Sequence, residues 1–92
     1  MLRTLEEIIQ DRRENPKDGS YTNHLFDAGV GKISQKVGEE AVEVIVAALD
    51  QTRERQIEEL SDLFYHTLVL MNQLGIRLEE VGAELRARHQ PR

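Results

Sequence analysis

From Ile33 to Ala48 the apolar residues recur at helical spacing: Ile33, Val37, Ala41, Val44, Ile45 and Ala48. That period fits an α-helix with one apolar face and does not fit a strand. The same stretch, K-V-G-E-E-A-V-E-V from Lys36 to Val44, carries three carboxylates, Glu39, Glu40 and Glu43. At about 100° per residue, Lys36, Glu40, Glu43 and Ala47 share a stripe within roughly 60° of arc. The acids therefore border the core-facing side instead of lying opposite it, where solvated glutamates are expected. A fold built on this helix must cover its apolar face and supply a counter-charge for its acids.

A second stretch, I-E-E-L-S-D-L-F-Y-H-T-L-V-L-M from Ile57 to Met71, answers it. Glu59 and Asp62 are three apart and so neighbours on one helix face, and His66 continues that stripe. Asp62 lies in a run apolar enough to draw its helix into the core. Carboxylates at the margin of a shared core are costly unless neutralised. Lys36 alone cannot balance four or five of them, so a divalent cation is the natural counter-charge. Oxygen ligands without cysteine favour Mg²⁺ or Mn²⁺. A ferritin-like di-iron bundle needs Glu-x-x-His on two helices, and the residue three after Glu59 is Asp62, which disfavours iron. Paired glutamates occur at Glu6-Glu7, Glu39-Glu40, Glu58-Glu59 and Glu79-Glu80, and solvated helix faces account for most of them. From the residues alone, a cation site and a set of solvated helix faces both stay open. His66 reads most simply as a hydrogen-bonded core histidine, and Phe64, Tyr65 and Met71 as packing residues.

The remaining chain points to an all-α fold, an antiparallel helical bundle. Thr4 followed by Glu7 has the pattern of a capping box, opening a helix from about Leu5 to Glu14. Asn15-Pro16 stops it, and a polar loop runs to Ser20. Thr22 or Asn23 caps a short helical turn through Phe26, ended by Gly29. The central helix is expected over Val30–Asp50, with Gly38 inside it marking close approach by another backbone or a ligand. After the short connection Gln51-Thr52 the next helix, Arg53–Leu74, returns antiparallel and stops at Gly75. A last helix spans about Glu79 to His89, with a tail that frays from Gln90 to Arg92. Gly29-Val30-Gly31-Lys32 is no P-loop, because Phe26 and Ile33 stand where that motif needs Gly and Ser or Thr.

Ninety-two residues allow one small domain, 1–92, with limited capacity to bury a core alone, so pairing with a second copy is expected. A net charge of −5 argues against a nucleic-acid partner, which needs a basic stripe. No run approaches a membrane span, no signal-peptide core opens the chain, and cysteine is absent, so a cytoplasmic protein without disulfides is expected.

Glu39-Glu40-x-x-Glu43 followed by Glu59-x-x-Asp62 resembles the E-E-x-x-E…E-x-x-D signature of the all-α, MazG-like nucleotide pyrophosphatases. More narrowly, Ser20-Tyr21-Thr22, Lys32-Ile33, Lys36-Val37-Gly38-Glu39-Glu40 and Asp62-Leu63-Phe64-Tyr65-His66 resemble the phosphoribosyl-ATP pyrophosphatase family of histidine biosynthesis. The likeness runs from about Leu5 to Arg88. It implies Mg²⁺-dependent hydrolysis of phosphoribosyl-ATP to phosphoribosyl-AMP and pyrophosphate, the second step of that pathway, by a homodimer. It implies Glu40, Glu43, Glu59 and Asp62 as metal ligands, with Glu39 completing coordination or accepting the proton of water. Lys36, and after it Lys32, would contact phosphate; Ser20, Tyr21 and Thr22 would line the pocket; Arg88 would reach a substrate phosphate across a subunit interface. No cyclohydrolase domain, fused to this one in some relatives, is present in the sequence, so a stand-alone enzyme is expected. Two other functions stay open: a general nucleotide pyrophosphatase acting on (d)NTPs, and a non-enzymatic, dimerising helical module.

Overall fold

The computed structural model describes residues 1–90, and every regular element among them is a helix. In chain order these are α1 (Leu2–Glu14), α2 (Tyr21–Ala28), α3 (Val30–Asp50), α4 (Arg53–Leu74) and α5 (Leu78–Arg88). α3 and α4 form the antiparallel hairpin required by their two-residue connection, and their shared seam is the most extensive in the fold. α1 packs on α4, and α2 sits against α1, α3 and α4. The ends of α4 follow its sequence. The Thr52 hydroxyl accepts from the Arg55 N–H at 3.2 Å. Gly75 takes the left-handed conformation (φ 73°, ψ 23°), and the Ile76 N–H returns to the Met71 carbonyl at 2.8 Å. Gly29, at φ 93°, both ends α2 and precedes α3, so the chain changes direction on one residue that few other side chains tolerate.

Three helix starts differ from expectation. α1 begins at Leu2, so Thr4 falls inside its first turn and the Thr4–Glu7 pattern does not cap it. α2 is capped by Ser20, whose hydroxyl accepts from the Asn23 N–H at 3.3 Å, and not by Thr22 or Asn23. Asn23 is committed elsewhere: its carbonyl accepts from the Lys17 N–H at 3.0 Å, and its amide donates to the Arg12 carbonyl at 2.7 Å. It thereby ties the 15–20 loop to the end of α1. α5 begins at Leu78, whose N–H is accepted by the Glu6 carboxylate of α1 at 2.6 Å, while Glu80 accepts from the Arg77 N–H at 2.7 Å. α5 has no buried residue. Pro91 and Arg92 of the tail expected to fray lie outside the described residues.

The core is the cluster Ile9, Leu25, Ile33, Leu68 and Val69, with Phe26, Tyr65 and Met71 among the side chains packed around it. Arg13 locks three helices at its edge. It donates to Asn72 and Gln73 of α4 at 2.6 Å each, and lies over the Phe26 ring of α2 at 3.9 Å. α3 is rotated from the expected setting. Its buried residues are Ile33, Glu40 and Ala47, seven apart, whereas Ile45 is 59% exposed and Ala48 is exposed. A seven-residue repeat keeps one stripe facing a neighbouring antiparallel helix. The small Ala47 lets α4 come close enough for the Gln56 amide to donate to its carbonyl at 3.0 Å. Glu40 thus lies within the α3–α4 seam, not at its border.

A Cβ at Gly38 would meet nothing within 4 Å, so among the described residues no other part of the chain makes the close approach that the glycine suggested. Gly38→Ala should therefore raise the stability of the ligand-free protein by about 1 kcal/mol, the helix-propensity difference. The check is the urea midpoint; a midpoint that falls would mean that a second copy occupies this face.

Candidate active site

Glu40 and Glu43 stand one turn apart on α3, and the antiparallel return of α4 brings Glu59 opposite them. One oxygen from each lies within 4.8 Å of the others. Glu40 is only 7% exposed and Glu59 5%, while Glu43 is exposed at the edge of the seam. Two cations flank the group. The Lys36 ammonium lies 3.4 Å from Glu39 and 3.5 Å from Glu40. The Arg55 guanidinium reaches Glu58 and Glu59 at 2.5 Å each. Even so, one oxygen of Glu40 and one of Glu59 are buried with no hydrogen-bond donor among the described residues.

The electrostatics carry the mark of crowded charge. The hydrogen bond that a protonated Glu59 could share with Glu43, then burial and the Glu43 charge, push the Glu59 carboxyl above its usual range; Arg55 opposes this and Asp62 adds to it. Glu39 moves the other way, held low by the Gln35 amide and by Lys36, with Lys32 contributing its charge. Burial lowers the pKa of Lys36, but Tyr21, Glu39 and Glu40 outweigh it, so the ammonium is held more firmly than usual. Hard carboxylate oxygens, two of them buried without a donor, suit a divalent cation such as Mg²⁺ or Mn²⁺.

Asp62 departs from expectation. It is exposed and outside the three-residue cluster, because α4 turns it off the seam on which Glu59 lies. Its backbone is nonetheless tied through His66 to α2: the Asp62 carbonyl accepts from His66 Nδ1–H at 2.7 Å. A carbonyl can only accept, so Nδ1 bears a proton; when that is the ring's only proton, Nε2 accepts from the Tyr21 hydroxyl at 2.9 Å. Next to this, the Thr22 and Tyr65 hydroxyls are hydrogen-bonded to each other. Burial, ahead of other causes, raises the Tyr65 pKa. The first turn of α2 is therefore bolted to α4 one turn beyond Asp62, and His66 is the hydrogen-bonded core histidine that its setting suggested.

The other candidates are more dispersed. Ser20 serves as the α2 cap, Lys32 is exposed in the first turn of α3, and Arg88 donates to Glu84 at 2.8 Å within α5. Arg55 was given no role from sequence, although its four-residue spacing from Glu59 is an ion-pair signal on a helix. Two concavities, about 690 Å³ beside the 16–27 segment and about 360 Å³ between α1 and the end of α4, are lined by none of the clustered acids. Charge, not a cavity, marks this site.

Because the Glu59 pKa is raised from an ordinary 4.5, this group binds a proton in the fold that the unfolded chain releases. Its contribution favours the fold below the unfolded value and is lost as pH rises through the folded one. With EDTA present, Glu59→Gln should melt above the parent chain near neutral pH, and the difference should shrink as pH falls towards about 4.5. Thermal melts across that range check it; a difference independent of pH would show that Glu59 titrates normally.

The phosphoribosyl-ATP pyrophosphohydrolase family matches the chain over residues 2–89. A phosphoribosyl-ATP pyrophosphatase of Clostridium acetobutylicum is 49% identical over 90 residues, covering 98% of this chain and 82% of the relative. One from Pyrobaculum islandicum is 50% identical over 88 residues, covering 96% and 94%. A histidine biosynthesis bifunctional protein of Oceanobacillus iheyensis is 51% identical over 81 residues, 88% of this chain but 38% of that longer protein. With the match extending over nearly its whole length, the chain belongs to the phosphoribosyl-ATP pyrophosphohydrolase family, whose members are hydrolases that release pyrophosphate.

Proposed function

We propose that this chain, as one catalytic domain, hydrolyses phosphoribosyl-ATP to phosphoribosyl-AMP and pyrophosphate in histidine biosynthesis, and does so with Mg²⁺ or Mn²⁺. The observation that carries the cation is the pair of buried, donor-free oxygens on Glu40 and Glu59, in a cluster completed by Glu43. These three hold the cation, and Asp62, one turn along α4 from Glu59, is the fourth ligand. When held, the cation supplies charge neutralisation on the triphosphate and acidifies water. The chain's own residues supply the rest. Lys36, already between Glu39 and Glu40, offers its ammonium to a phosphate, and Lys32 adds positive charge one turn earlier. Glu39, whose lowered pKa makes it a poor proton acceptor, serves as the charge that orients Lys36. Ser20, Tyr21 and Thr22 form the pocket side, fixed to α4 through His66 and Tyr65. The substrate is a free nucleotide, not a nucleic acid, and its pathway places the protein in the cytoplasm. Among the described residues no helix is long and apolar enough to cross a membrane.

The active form is a homodimer. Val42, Ile45, Val46 and Leu49 make one stripe on α3, Leu49 being 81% exposed, and Ile57, Leu60 and Phe64 another on α4. Stripes of this kind support a helical interface between copies. Arg88, whose partner in its own chain is Glu84, is a phosphate contact across that interface.

With phosphoribosyl-ATP and Mg²⁺, the products should be pyrophosphate and a monophosphate, and EDTA should abolish turnover; dATP, dUTP and dCTP should be poorer substrates. Orthophosphate with a diphosphate product would overturn the assignment. Glu43→Gln should lower kcat by about a hundredfold or more, while Glu7→Gln, an exposed acid on α1, should not. Saturating Mg²⁺, at a hundredfold excess over Kd, should stabilise the parent chain by about 2.7 kcal/mol and Glu43→Gln much less. Light scattering at micromolar concentration should give the mass of two chains, and Ile45→Glu should shift it towards one.

A further inference from the structure

We propose that Arg55 is a resident counter-ion of the acid cluster: it stands in for the divalent cation on Glu59 when that cation is absent, and it weakens the cation's binding when present. The inference rests on the cation-site reading above and concerns how tightly that site holds its ion. The Arg55 side chain is 52% exposed, whereas that of Glu59 is 6% exposed. A guanidinium reaching in from solvent therefore closes over a buried carboxylate, holding its Oε1 at 2.5 Å while Oε2 has no donor. A second nitrogen holds Glu58, an exposed acid, at 2.5 Å. Glu58 thus tethers Arg55 at the rim when Glu59 turns to another partner.

Arginine stays charged at every working pH, so this partner is always available. Lys36 does for Glu40 what Arg55 does for Glu59, at the longer distance of 3.5 Å. Three clustered carboxylates with these two cations carry a net charge of −1. That is enough to keep the seam closed without metal, and too little to bind a divalent ion as three free carboxylates would. Removing the Arg55 charge lifts the repulsion felt by an incoming ion, and a unit charge at such range changes affinity by about tenfold.

The test is Mn²⁺ binding by electron paramagnetic resonance, paired with thermal melts in EDTA. Arg55→Met should bind Mn²⁺ about tenfold more tightly and should melt lower than the parent chain in EDTA. Arg55→Gln should behave in the same way and serves if the methionine variant fails to fold. Arg55→Lys should stay near the parent chain in both. Arg53→Met removes the same charge two residues earlier, on the other side of the helix, and should change neither. If Mn²⁺ binds the parent chain but binds Arg55→Met equally or more weakly, Arg55 is no competitor and this inference falls alone. If the parent chain binds no Mn²⁺, the cation-site reading falls and takes this inference with it.

Discussion

Two carboxylates buried face to face in one helix seam set the terms for this structure. Glu40 and Glu59 lie where a hairpin of two long helices would ordinarily place apolar side chains. Burial penalises their charge and mutual repulsion adds to it. The seam holds because apolar packing dominates its other end, around Ile33, Leu68 and Val69, and because Lys36 and Arg55 neutralise the acids from outside. The outcome is a hairpin whose seam keeps two carboxylate oxygens without a donor among the described residues. Such atoms cost a purely structural seam stability, and they are what the proposed cation site would use.

Much of this was legible in the sequence. The bounds of α3 and α4 follow from Gly29, Thr52 and Gly75, residues that act through local geometry and need no knowledge of the tertiary fold. The start of α1 was misjudged because the helix begins at Leu2 with no side-chain cap to mark it, and the cap of α2 because Ser20, Thr22 and Asn23 were all competent. Packing chose among them: Asn23 was drawn away to Lys17 and Arg12. The rotation of α3 was hidden for a related reason. Periodicity defines an apolar arc, but which part of the arc meets the neighbouring helix depends on side-chain size, here on Ala47.

The acid site shows the same division. Helix spacing makes Glu40 and Glu43 neighbours, and the short turn that returns α4 antiparallel brings Glu59 to them. Asp62 was judged by the apolar character of its surroundings, whereas its angular position decides its exposure. Arg55 went unremarked because arginine–glutamate pairs at this spacing are common on solvated helices, and only the burial of Glu59 distinguishes this one. The exposed apolar stripes on α3 and α4 are the counterpart on a larger scale. The expected apolar arc is real, but only part of it finds cover within one chain.

The hydrogen bonds around Tyr21 limit what that residue can offer a substrate. A tyrosine hydroxyl has one proton, and here it is donated to His66, whose other nitrogen is fixed by the Asp62 carbonyl. The oxygen can then accept but not donate, so it is no donor for a phosphate while this tautomer stands. Tyr21 is half-exposed and its ring packs against Tyr65 and His66. What remains exposed of Tyr21 is mainly aromatic surface, so in the proposed site the donor for phosphate is Lys36 and not this hydroxyl. Two hydrogen bonds thus join Tyr21 of α2 through His66 to the Asp62 backbone of α4.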